Sequence, residues 1–202
     1  MPVRGCTLVA IEGTHASGKT TLTHALVAHY RARGTLVACT AEPARTSPFI
    51  EEIVIYGKGN FDLTTEVDLF ATQLSTQLRA TRHQQLLICD KTIMNVLAYA
   101  RLVLDPRQGH TADVLEALTS LCRAWAPSAY DAVIYCPDQY QQPADMFRSK
   151  VSHLQDATAT AVRQACTDTG ITLHELPAGL DLNARVAWVS SRVDPLLTGA
   201  SR

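Results

Sequence analysis

Eight consecutive residues carry the clearest chemistry in this sequence. Gly13-Thr14-His15-Ala16-Ser17-Gly18-Lys19-Thr20 matches the spacing GxxxxGK[ST] in full, with Thr21 continuing it. The pattern suits a polyphosphate. Two glycines allow close backbone approach and unusual dihedrals. Successive backbone N–H groups form a concave anion nest, and the start of a helix adds partial positive charge. Lys19 brings a point charge to the β- and γ-phosphates of a nucleoside triphosphate, and the Thr20 hydroxyl is a ligand for Mg²⁺. An apolar run precedes the loop and a helical pattern follows, the context that gives the spacing its meaning. His15 sits at a variable position; it is either filler or a contact to phosphate or substrate.

Two further sites bring carboxylates. Glu42-Pro43 follows an apolar run, and Pro43 keeps the chain extended there. A carboxylate so placed can orient or deprotonate an acceptor hydroxyl, or hold magnesium through water. Asp90 ends the run Leu86-Leu87-Ile88-Cys89, an arrangement that places a carboxylate near magnesium. Lys91 comes next and offers a cation to an acceptor phosphate or to the migrating phosphoryl group.

These residues must be positioned by a sheet. Five runs, 7–11, 36–40, 86–89, 132–136 and 171–176, are nearly continuously apolar, as strands covered on both faces are. Helical patterns lie between them at 19–33, 62–83, 93–104, 111–125, 145–169 and 182–197. Gly34 and Gly170 are expected to end helices, and Asp62 to cap one. Alternating strands and helices imply a parallel sheet with right-handed crossovers. Ligands of such a sheet bind outside the carboxyl ends of the strands, where Lys19, Glu42, Asp90 and Lys91 all fall.

The 202 residues suit a single domain, 1–202, with a polar, proline-bounded lid segment near 137–150. Hydrophobic residues make up 47% and charged residues 18%, enough for a sizeable core. The formal net charge of −1 speaks against a strongly basic nucleic-acid binder, and no apolar run is long enough to span a bilayer. The N-terminal apolar run leads straight into the phosphate loop and is read as a strand rather than a signal peptide. Six cysteines without a CxxC pair read as buried, reduced thiols of a cytoplasmic protein. The seven histidines show no metal-ligand spacing.

At this point the sequence resembles a known group. The run from Ile11-Glu12-Gly13 through Lys19-Thr20-Thr21-Leu22 is similar to the opening of thymidylate kinases and deoxyribonucleoside kinases. Glu42-Pro43-Ala44-Arg45 resembles their Glu-Pro element, and Cys89-Asp90-Lys91-Thr92 with Leu97-Ala98-Tyr99 resembles their Asp-Arg motif and downstream Ala-Tyr. The likeness extends to a broad group of P-loop NTPase/kinase-like proteins of AAA type, related also to ribosylnicotinamide kinases. It implies an α/β, three-layer P-loop NTPase fold with a parallel five-stranded sheet in the order 2-3-1-4-5. It implies that Glu42 lies near the acceptor hydroxyl, that Phe70 and Gln73 lie on a base-contacting helix with Arg79 further along, and that Arg45 grips a substrate phosphate or carboxylate. It further implies that Arg148, with Lys150, closes from the lid over the γ-phosphate. Two departures stand out: Lys91 replaces the usual arginine, losing its two-pronged grip on phosphate, and the lid is poor in arginine.

The expectation is an ATP- and Mg²⁺-dependent kinase of a nucleoside, nucleotide or nucleoside-like small molecule, with Thr20 and Asp90 at the metal and Lys19, Glu42, Asp90, Lys91 and Arg148 serving catalysis. A homodimer follows by analogy with related kinases. The alternatives are a nucleotide-hydrolysing switch acting on a protein partner, or a kinase of an antibiotic or other secondary metabolite.

Overall fold

The near-continuous apolar runs form the strands of one sheet. A computed structural model of the chain describes residues 3, 5–140 and 155–199. Strands β1 (Thr7–Glu12), β2 (Val37–Thr40), β3 (Leu86–Asp90), β4 (Ala132–Tyr135) and β5 (Leu173–Glu175) pair in parallel in the order β2-β3-β1-β4-β5. That is the expected order. Thr7 faces Leu86 and Ile11 faces Asp90 across β1 and β3, so the carboxyl ends of these central strands finish level.

Alternation along each strand divides the core in two, as the pleat requires. Leu8, Ala10, Leu87, Cys89, Val133 and Tyr135 point to one face. There they meet α3 (Leu63–Ala80), α4 (Ile93–Val103), α5 (Thr111–Ala129) and α6 (Gln155–Asp168). Val9, Ile11, Leu86, Ile88 and Ile134 point to the other. There Leu22, Leu26 and Tyr30 of α1 (Lys19–Ala32) and Val189 and Val193 of α7 (Leu182–Gly199) close over them. The result is three layers.

Three details differ from expectation. A short helix, α2 (Pro48–Val54), follows a single 3-10 turn (Pro43–Arg45) after β2. Pro48 occupies its first turn, where a missing N–H costs nothing, and Ile50, Ile53 and Val54 join the core beside α3. Helix α5 continues past position 125 to Ala129 despite Pro127 in its last turns. Strand β5 is a half-exposed edge rather than a covered strand. Residues 145–154 of the helix expected at 145–169 lie outside the described residues. Asp62 caps α3 as expected, accepting from Thr65 N at 2.8 Å.

All six cysteines are free and five are buried. Burial, foremost, pushes Cys6 and Cys136 up to about 11 and Cys89 and Cys122 up to about 12, which leaves them inert thiols. Among the described residues no helix is long and apolar enough to cross a membrane.

Candidate active site

The loop between β1 and α1 closes at the sheet's carboxyl edge. Gly13 has φ 140°, and a Cβ there would stand 2.6 Å from the Cys136 carbonyl oxygen and 2.8 Å from Ser17 Oγ. Only glycine lets the loop pass this close to β4. Gly13→Ala is therefore expected to destabilise the fold by about 3 kcal/mol and to weaken nucleotide binding more than tenfold. Gly34→Ala, at φ 80° with nothing within 4 Å of a new Cβ, should lower the melting temperature without touching affinity. Thermal melts paired with nucleotide titrations check both.

Lys19 turns back into the loop. Its Nζ donates to Thr14 O at 2.6 Å and to Ser17 Oγ at 3.3 Å, and the residue is only 7% exposed. Burial, then the neighbouring charge of Lys91, lower its pKa, against the pull of Asp90, Glu42 and Glu12. Thr20 Oγ1 donates to Asp90 Oδ2 at 2.7 Å, joining the first turn of α1 to the end of β3. Asp90 Oδ1 is buried and has no partner among the described residues. A hydroxyl and a carboxylate with a spare oxygen are hard ligands that fit Mg²⁺. The described residues contain no group of three His, Cys, Asp or Glu able to hold a metal alone, so phosphate oxygens and water would complete the shell.

Glu12 ties the loop to β3 from beneath. Fully buried, it accepts from Thr92 N at 2.7 Å, Thr92 Oγ1 at 2.6 Å, Asn95 Nδ2 at 2.8 Å and Gly13 N at 3.3 Å. Burial raises its pKa, opposed by the Thr92 and Asn95 bonds and by Lys91. It fixes the phosphate loop against the start of α4.

Beside the loop stands an ion pair. Lys91 Nζ lies 2.5 Å from Glu42 Oε1, with side-chain exposures of 6% and 17%. Burial works against both charges, but each holds the other: Glu42 is pulled down to about 2 and Lys91 is raised. Lys91 adopts φ 73°, unusual for a residue with a side chain. Its N–H donates to Ile11 O at 3.1 Å, and its carbonyl accepts from Gln73 Nε2 at 2.9 Å and Gln77 Nε2 at 3.1 Å. These bonds hold the strained peptide so that the ammonium reaches Glu42. Tyr99 completes the group: its ring lies 5.2 Å from Lys91 Nζ and its hydroxyl is 3.0 Å from His15 Nε2. His15 thus connects the phosphate loop to the Glu42–Lys91 pair.

The residues expected at the site do not all meet there. Lys19, Thr20, Glu42, Asp90, Lys91 and His15 share the carboxyl edge. Phe70 is buried in the core, and Gln73 spends its amide N–H groups on the backbone of residues 90 and 91 rather than presenting them to a ligand. Arg45 lies exposed in the 3-10 turn next to Glu42. Arg79 is displaced from the rest. It occupies the exposed last turn of α3, which runs back toward the amino-terminal edge where β3 begins at Leu86. The helix direction, which periodicity does not reveal, carries it away. Arg148, Lys150 and most of the expected lid lie outside the described residues.

Other site residues gave weaker signals. Glu12, like Asp90, is a lone acid closing an apolar strand. Arg185 has no local signal at all. From α7, 2% exposed, it donates to Ser17 O at 3.1 Å and Leu180 O at 3.1 Å and pairs with Asp138 after β4. Tyr140 N donates to Ala16 O at 2.8 Å, so the segment after β4 is fastened to the phosphate loop from two sides.

The model of an AAA domain family matches residues 8–185. The chain belongs to this family. Among solved structures, this chain shares its fold with thymidylate kinase from Candida albicans. The chain is 16% identical to it, with a TM-score of 0.67 over 95% of this chain and 92% of the other. Deoxyadenosine kinase from M. mycoides with bound dATP gives 13% identity and a TM-score of 0.58 over 93% of this chain and all of the other. The NadR protein in complex with NR gives 17% and 0.67 over 94% of this chain and 50% of the other. No curated protein matches the chain. The sequence resemblance and the fold therefore point to the same P-loop group.

Proposed function

We propose that this protein is an ATP- and Mg²⁺-dependent kinase that transfers the γ-phosphoryl group to a hydroxyl of a nucleoside, nucleotide or nucleoside-like small molecule. One observation carries the reading. The Lys19 loop, the Thr20–Asp90 contact and the Glu42–Lys91 pair meet on one sheet edge, which supports a phosphate site beside an acceptor site. The last of these sets a carboxylate beside the phosphate loop, where an acceptor hydroxyl would lie.

The chemistry is an in-line displacement. The acceptor oxygen bonds to the γ-phosphorus, the bond to the bridging β,γ-oxygen breaks, and ADP leaves. Mg²⁺ held by Thr20, Asp90 and the phosphates would neutralise charge on the nucleotide. Lys19 neutralises the β- and γ-phosphates. Glu42, drawn down to about 2 by Lys91, is too weak a base to remove an alcohol proton early. It orients the hydroxyl by accepting its hydrogen bond, and the proton leaves late, to Glu42 or to solvent. Little base strength is required of a loose phosphoryl-transfer transition state. Lys91, neutralised by Glu42, is a poor clamp for an acceptor phosphate, which favours a hydroxyl on an uncharged acceptor over a monophosphate.

The test is ADP release from ATP and Mg²⁺ with a panel of nucleosides, nucleoside monophosphates and hydroxylated metabolites. Stimulation by nucleosides above monophosphates is expected. Hydrolysis indifferent to every acceptor but responsive to a protein partner would instead support a nucleotide-dependent switch.

A further inference from the structure

Glu66 is an acid where none is expected. It is 2% exposed, and its Oε2 has no partner among the described residues. An unpaired buried carboxyl costs stability, so its persistence calls for a reason. Its neighbours do not supply one. Asp62 accepts from Thr65 N and Thr65 Oγ1, both at 2.8 Å, so the hydroxyl of the adjacent residue is already committed. Burial first, then the Asp62 charge, push Glu66 up to about 7.

Its direction is set by its helix. Glu66, Phe70, Gln73 and Gln77 follow at spacings of four, three and four and form one stripe of α3. The stripe faces the carboxyl end of β3, because Gln73 and Gln77 donate to Lys91 O. Helix α3 runs from that edge toward the opposite one, so Glu66, seven residues ahead of Gln73, stands about 10 Å further out. That places it beyond the strand ends, over the crevice in which ligands of a parallel sheet bind. The same stretch of α3 is tied to the chain after Glu42, since Ser47 Oγ donates to Asp68 Oδ2 at 3.0 Å.

We infer that Glu66 is a specificity-determining residue of the acceptor site, where its carboxyl receives an N–H donor of the acceptor's heterocycle, an exocyclic amino group above all. The inference rests on the acceptor site proposed above and extends it from the reacting hydroxyl to the far end of the acceptor. A hydroxyl acceptor would then be held at both ends, by Glu42 at the oxygen that reacts and by Glu66 at the ring.

The experiment compares wild type, Glu66→Gln and Glu66→Leu with adenosine and cytidine and with their N,N-dimethylated amino analogues. Calorimetric binding and acceptor-dependent ADP release are both followed. Wild type is expected to favour the amino compounds about 10- to 100-fold, mostly in KM. Glu66→Leu should erase that preference while melting about 3–6 °C higher, the mark of a residue kept for binding at the expense of stability. Glu66→Gln, which keeps the volume and an acceptor oxygen, should retain part of it. If phosphoryl transfer occurs but wild type and Glu66→Leu treat both series alike, the inference is wrong and the kinase reading survives. If the amino compounds bind through Glu66 without transfer, the kinase reading is wrong and the inference survives. If wild type neither binds nor phosphorylates either series, both are wrong.

Discussion

Lys19→Met is expected to lose at least about 10³-fold of acceptor-dependent ADP formation while the fold remains intact. The size follows from burial. The Lys19 ammonium is nearly shielded from water, held by Thr14 O and Ser17 Oγ, so its charge acts on the phosphates through a weakly screening medium. The fold should tolerate the change because the charged form is itself disfavoured there, first by burial and then by Lys91. A melting temperature within a few degrees of wild type, or above it, would separate lost chemistry from lost structure. A parallel fall in melting temperature and activity would mean that Lys19 serves the loop's architecture instead.

The Glu42–Lys91 pair gives the second large effect. Removing one partner strands a charge in a site that is nearly closed, and Lys91→Met or Glu42→Gln should each cost about 3–5 kcal/mol. The double variant should recover most of that loss, since neither charge is then left alone. Activity should not recover: Glu42→Gln and the double variant are both expected to fall about 10²-fold in kcat, because the amide is a weaker acceptor for the hydroxyl than the carboxylate and cannot take its proton. The pH dependence is fixed in sign. Glu42 is lowered from an ordinary 4.5 to about 2, so its stabilising contribution is complete above pH 4.5 and disappears as the pH falls toward 2. In Lys91→Met burial is left largely unopposed and raises Glu42 instead, so this acid limb should vanish and the variant's deficit should shrink as the pH falls and the carboxyl is protonated. Acid unfolding curves of the four proteins check the cycle.

The strands were readable because β1, β3 and β4 are covered on both faces and so are apolar at nearly every position, while their order came from the family resemblance. Helix α2 was not: seven residues begun by a proline are too short to display a period. The phosphate loop was readable because it works through local backbone geometry, and Glu42, Asp90 and Lys91 because strand ends are a sequence-level position. What escaped depends on packing between distant segments. Arg185 meets Ser17 from 168 residues away. Glu66 reads as an ordinary acid on an amphipathic helix until the fold buries it. Gln73 reads as a group free to meet a base until Lys91, at its positive φ, claims the amide. Arg79 shares a helix with these residues but sits at its far end, and spacing alone does not say which end reaches the site.

The most direct measurement follows the label from [γ-³²P]ATP with Mg²⁺ and a nucleoside acceptor, wild type beside Lys19→Met. The account predicts label on the acceptor's hydroxyl oxygen in wild type and none with Lys19→Met. Label released only as inorganic phosphate, in equal amount with and without every acceptor, would contradict it.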